Sequence, residues 1–140
     1  MIITDERILH QVSVGTENAD YVASAIKREM GKDALGLAAI QIGIPSRIIG
    51  VRLRRPGYRK SHITIMLNPE ITVFGPETEK KVESCLSCAR DVIVERYVEI
   101  TVKYDDLQGF SHSLTFRGIQ ARIIQHEIDH LNGVLITDQR

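Results

Sequence analysis

The chain of 140 residues has no tryptophan, and aromatic residues make up only 5% of it. That leaves too few rings for the stacking platforms on which single-stranded nucleic acids are held. Neither sign of charge is in excess: Lys plus Arg and Asp plus Glu number 18 each. The chain as a whole therefore has no field to draw it to RNA, DNA or an anionic lipid surface, and no direct nucleic-acid or membrane partner is expected. Long apolar runs are missing too, with nothing near the roughly 20 residues a membrane span needs. The opening Met1-Ile2-Ile3-Thr4-Asp5-Glu6-Arg7 lacks the basic start and apolar stretch of a secretory leader. Only two cysteines occur, Cys85 and Cys88, too few for a disulfide framework, and a reducing cytoplasm is the compartment expected. With no repeat, low-complexity tract or linker, residues 1–140 read as a single domain, long enough to bury a core.

Periodicity then orders the chain. Residues 1–17 read as an irregular or short-turn arm with His10 on the surface. From Asn18 or Asp20 to Met30, Val22, Ala25, Ile26 and Met30 follow helical spacing and Gly31 stands just past the end, which predicts an N-terminal amphipathic helix. Strand patterns follow at Arg47 to Leu53, Ile63 to Leu67, Glu70 to Phe74 and Lys81 to Cys85, with Asn68-Pro69 and Gly75-Pro76 as turns between them. Arg52, Arg54, Arg55, Arg59 and Lys60 cluster around Pro56-Gly57 and read as a solvated hairpin tip, with His62 beside it. Arg96 to Tyr104 alternates as one strand, with Val98, Ile100 and Val102 on one face, and Phe110 to Phe116 returns as its hairpin partner. One helix, several antiparallel strands and a late helix make the expected class α+β.

That late helix carries the chemistry. In Gln125-His126-Glu127-Ile128-Asp129-His130 the two histidines lie four apart on one helical face and can aim at a single metal ion, with Glu127 about 100° further round, beside the ion and able to move protons. Ile119 and Ile123 share that face, Ala121, Ile124, Ile128 and Leu131 lie broadly opposite, and Arg122, Gln125 and Asp129 form a thin polar strip. A helix apolar on nearly all sides is a buried one, so antiparallel sheets are expected to pack around it. Asn132-Gly133 supplies its stop.

Two imidazoles leave a metal under-liganded, and a cysteine is the best third donor. One thiolate with two imidazoles suits Zn(II) or Fe(II) and leaves a position open for water. The pair Cys85-x-x-Cys88 with His126 and His130 would instead close a structural zinc site, and spacing alone leaves both readings standing. Gln41 stands out in the small, apolar run from Ala34 to Pro45, either as an amide bonding a loop or as a donor to a developing negative oxygen.

Three segments, Gly36-Leu37-Ala38-Ala39-Ile40-Gln41, Glu83-Ser84-Cys85-Leu86-Ser87 and Gln125-His126-Glu127-Ile128-Asp129-His130, resemble, in order, the three signature motifs of peptide deformylases. The resemblance implies an enzyme that removes the formyl group from the N-terminal methionine of newly made polypeptides and releases formate. It implies Cys85, His126 and His130 as ligands of one divalent metal, Fe(II) natively with Zn, Ni or Co as alternatives, and Glu127 as general acid and base for a water that attacks the formyl carbonyl. It implies Gln41 and the Leu86 backbone N–H as donors to the substrate oxygen. Glu83 and Arg96 match a supporting salt bridge, and Gln125 and Asp129 match partners that orient the imidazoles. Gly36, Leu35, Ile119 and Ile123 are expected to line the slot for the substrate's methionine. The implied partners are N-formylmethionyl nascent peptides, met transiently at the ribosome by a monomer. Ala34, Ser84 and Cys88-Ala89-Arg90 depart from the family's pattern. The chain ends ten residues after His130, as in compact forms without a further C-terminal helix.

Overall fold

The computed structural model describes residues 1–138; Gln139 and Arg140, the end of the 1–140 unit, lie outside them. The fold is α+β, with antiparallel sheets and a C-terminal helix. Its elements run α1 (Glu6–Leu9), α2 (Ala19–Met30), β1 (Gly36–Ala38), a 3-10 turn (Ala39–Ile42), β2 (Ile48–Leu53), β3 (His62–Phe74), β4 (Thr78–Glu83), β5 (Val92–Tyr97), β6 (Glu99–Asp105), β7 (Ser111–Arg117) and α3 (Gly118–Leu131). Five strands form one sheet in the order β1-β2-β3-β6-β7, and β4 pairs with β5 in a separate ribbon. No helix among the described residues is long and apolar enough to cross a membrane.

The large sheet is covered on both faces, and the period of two along its strands decides which residue meets which helix. Ile48 joins Val22, Ala23, Ile26 and Met30 of α2, whereas Ile49 and Val51 join Ala121, Ile124, Ile128 and Leu131 of α3. Gly50 faces α2: a Cβ there would lie 2.6 Å from Ile26 Cγ2 and 2.9 Å from Met30 Sδ, so the missing side chain lets α2 sit close on the sheet.

Three expectations fail for identifiable reasons. Asn68-Pro69 is not a turn. Residues 62–74 form one strand in which the register steps from Leu67↔Asp105 to Glu70↔Lys103, so two residues oppose one in a bulge. Asn68 takes φ +50, which asparagine tolerates, and Pro69 has no N–H for the ladder to lose. The run from Arg96 to Tyr104 is not one strand either. It breaks at Val98, whose N–H bonds Glu77 O at 3.0 Å and whose carbonyl accepts from Gly118 N at 2.8 Å, and the chain passes there from the ribbon to the large sheet. The opening arm contains the short helix α1, started by the Asp5 carboxylate accepting from Arg7 N at 2.9 Å.

His10 stands at the surface with Nε2 2.9 Å from Asp138 Oδ1, and this hydrogen bond raises its pKa above the ordinary imidazole value. A raised pKa adds stability that is complete below the unfolded value, about 6.5, and is lost as pH rises through the folded one. The Tm difference between wild type and His10→Gln is accordingly expected to be largest near pH 6 and to close by about pH 9. A difference that stays constant across this range would show that the pair carries no such linkage.

Candidate metal centre

Helix α3 leaves β7 at Gly118 and is buried along most of its length, from Ala121 to Leu131. Residues four apart stack on one face, so His126 and His130 stand one above the other with ring centroids 5.0 Å apart. The third donor arrives from the loop after β4. Cys88 N bonds Cys85 O at 3.0 Å, closing a turn that presents the Cys85 sulfur to the helix, 3.4 Å from His130 Nε2. One donor atom each from Cys85, His126 and His130 lies within 4.8 Å of the others, and Cys88 is outside this set.

Glu83, the last residue of β4, joins ribbon and helix. Its carboxylate takes two hydrogen bonds from Arg96, both 2.9 Å, one from Arg122 Nη1 at 2.5 Å and one from His126 Nδ1 at 3.0 Å. Burial alone would push this carboxyl up, but Arg96 and His126 hold it well below the usual carboxylate range. With Nδ1 facing Glu83, His126 turns its other ring nitrogen to Cys85. Burial opposes charge on the His126 ring, yet Glu127, Cys85 and Glu83 raise its pKa to about 10. A metal ligated by His126 would have to displace the proton from the ring nitrogen facing Cys85. Burial and the neighbouring His126 lower His130 to about 3, which keeps it the neutral imidazole that ligation requires. Its Nδ1 has no hydrogen-bond partner among the described residues.

Glu127 is 4% exposed, and its Oε1 also lacks a hydrogen-bond partner. Burial lifts its pKa to about 7 against the opposing pull of His126 and Arg96, so the group can hold or release a proton near neutrality. Gly36 makes room for it: a Cβ at that position would lie 2.5 Å from Glu127 Oε2 and 2.9 Å from Ile123 Cγ2. Gln41, in the 3-10 turn, accepts from Ala38 N at 3.0 Å and donates from Nε2 to Ser87 Oγ at 3.0 Å, with Cys85 Sγ 3.6 Å away. A cavity of about 440 Å³ opens beside these groups, and Leu35, Gly36, Leu86, Ile119 and Ile123 are among its walls. Leu35 and Ile119 are 49% and 64% exposed, which places them at its mouth rather than in the core.

The polar strip of α3 does something other than expected. Gln125 does not orient an imidazole: it accepts from Tyr97 N at 3.0 Å, and its amide nitrogen donates to Tyr97 O and Ala121 O at 2.8 and 3.0 Å, so both N–H groups are used. Asp129 accepts from Arg96 at 2.5 Å and is linked through it to Glu83, the partner of His126. Arg122 and Ser87 are participants the sequence reading missed. Arg122, four residues before His126, bonds Glu83, Val94 O and Glu79 O. A cation on an otherwise apolar helix calls for buried acceptors, and that was the available signal.

Cys88 can be tested directly. Burial and the Cys85 sulfur raise its thiol to about 11, keeping it protonated. Cys88→Ser is expected to bind one Co(II) with an unchanged thiolate charge-transfer band. A band that falls by half would make Cys88 a ligand and the site a closed structural one.

Fold and site together define a metal-dependent hydrolase. The family described as polypeptide deformylase matches residues 2–140, and the chain belongs to that family, whose members remove the formyl group from the N-terminal methionine of nascent polypeptides. It is 35% identical over 144 residues to the peptide deformylase of Rhizobium meliloti strain 1021, covering 99% of this chain and 82% of that protein. Among solved structures, the Met-Ala-Ser-bound class I type b peptide deformylase of Acinetobacter baumannii superposes with TM-score 0.84 at 35% identity, covering 97% of this chain and 94% of that one. A probable peptide deformylase from Synechococcus phage S-SSM7 gives TM-score 0.82 at 32% identity, covering 99% and 97%.

Proposed function

We propose that Cys85, His126 and His130 hold one divalent cation and that Glu127 is the proton carrier for hydrolysis of the formyl amide. The observation that carries this reading is the convergence of those three donors within 4.8 Å on a buried helix, with the unpartnered Glu127 carboxyl beside them. When bound, such a cation lowers the pKa of a water and polarises a carbonyl. Glu127 takes the proton from the attacking water and returns it to the departing amine nitrogen, a transfer suited to a group poised near pH 7. Gln41 Nε2, next to Cys85, and the backbone N–H of Leu86 are the donors to the oxygen on which charge develops. Glu83, set by Arg96 and Arg122, holds His126 in the tautomer that faces the site. The methionine side chain enters between Leu35, Ile119 and Ile123, and the bare Gly36 lets the peptide backbone pass close to Glu127.

The donor set of one thiolate and two imidazoles fits Fe(II), with Zn(II), Ni(II) or Co(II) able to replace it. Since every site residue comes from one chain, a monomer suffices, acting in a reducing cytoplasm on N-formylmethionyl chains as they leave the ribosome. A Met-Ala-Ser ligand in the Acinetobacter baumannii neighbour supports a peptide in the same groove here. Formate release from formyl-Met-Ala-Ser by protein loaded with Fe(II) without oxygen is the test. Stoichiometric metal with no formate above the rate without enzyme would overturn the assignment.

A further inference from the structure

The tip between β2 and β3 carries Arg54, Arg55, Arg59 and Lys60 with no acidic residue from Leu53 to Ser61, and residues 54–60 are all exposed. In a chain of zero net charge this is a strongly asymmetric patch. Its position gives it a use. Strand β1 pairs with β2 in the register Gly36↔Val51, and beyond the strand Arg52 N bonds Leu35 O at 2.8 Å while Arg52 Nε bonds Ala34 O at 2.9 Å. The turn of residues 31–33 ends this pairing, with Arg52 Nη2 donating to Gly31 O at 2.6 Å. From the other side, Gln120 Nε2 on the first turn of α3 bonds Arg54 O at 3.2 Å.

One wall of the cavity is therefore the line Gly36, Leu35, Ala34, Asp33, leading away from Glu127 towards the base of the tip. At about 3.3 Å per extended residue, three residues of peptide span it. A substrate with its methionine between Ile119 and Ile123 that follows this wall away from Glu127 would bring its fourth and later residues towards the base of the tip. Asp33 lines the far end of the same wall, and Lys32 adjoins it. Arg55 sits over the Tyr58 ring, 5.8 Å from its centroid.

We propose that this tip is a specificity element that favours formylated chains with acidic side chains from the fourth residue onward. The inference rests on the deformylase reading and names a substrate class within it. Exposed charges act mainly through encounter, so the preference lies in kcat/KM and is screened by salt. The ratio of kcat/KM for formyl-Met-Ala-Ser-Asp-Asp-Asp over formyl-Met-Ala-Ser-Lys-Lys-Lys is expected to be roughly three to ten at low ionic strength and to approach one near 0.5 M salt. In the variant carrying Arg54→Ser, Arg55→Ser, Arg59→Ser and Lys60→Ser the ratio falls to about one, while formyl-Met-Ala-Ser, too short to reach the tip, is turned over as by wild type. No turnover of that neutral tripeptide by the wild-type metal-loaded enzyme overturns the deformylase reading itself. Turnover with a wild-type ratio of one, or a ratio the fourfold variant retains, overturns only the role of the tip. If the variant instead loses binding to a single-stranded RNA oligonucleotide and leaves the peptide ratio untouched, the tip serves RNA and this proposal falls.

Discussion

Glu127→Gln is expected to bind metal as tightly as wild type, to melt within a few degrees of it, and to lose roughly 10²- to 10⁴-fold in kcat. The substitution preserves shape, and the carboxyl has no hydrogen-bond partner at Oε1 whose loss would unsettle the helix. What disappears is the titration that burial has moved to about 7. Metal content, thermal melting and formate release on one preparation separate these effects. Activity near wild type with metal bound would remove Glu127 from proton transfer.

The second large effect belongs to Glu83. Replacing it with glutamine leaves Arg96 and Arg122, which are 5% and 8% exposed, without the carboxylate that compensates both. Breaking a buried pair by removing one partner costs about 3–5 kcal/mol. The His126 Nδ1 bond weakens at the same time, and loss of such a partner typically lowers metal affinity about 10- to 100-fold. Denaturant unfolding of the metal-free protein and competition with a chelator measure the two losses separately. A stability change under about 1 kcal/mol would mean that water reaches the two guanidinium groups.

What could be read in the sequence was local. Two imidazoles four apart on a helix, a cysteine after a strand and alternation along β6 and β7 each express themselves within a few residues, and such signals need no knowledge of the fold. Relations across the chain left fainter marks. The step between sheets at Val98 is silent because alternation runs unbroken through it, and the Glu77, Gln125 and Gly118 contacts show that the chain changes partners there. Asn68-Pro69 has turn chemistry but was used for a bulge, since the same left-handed asparagine serves both. Arg122 and Gln125 read as part of a thin polar strip, and Gln125 as a partner of the imidazoles, although both bond the backbone of a ribbon whose docking on α3 no spacing reveals.

That ribbon is attached in an unusual manner. Of the twelve residues in β4 and β5, Val94 is the one apolar side chain fully out of water, while Val82 and Ile93 stay 65% and 67% exposed. The sulfur donor is thus carried on a flap whose hinge is ionic rather than greasy. Neutralising those buried charges would let the flap lift while the two-faced sheet behind it stays intact, so the cation would leave before the body of the molecule melts.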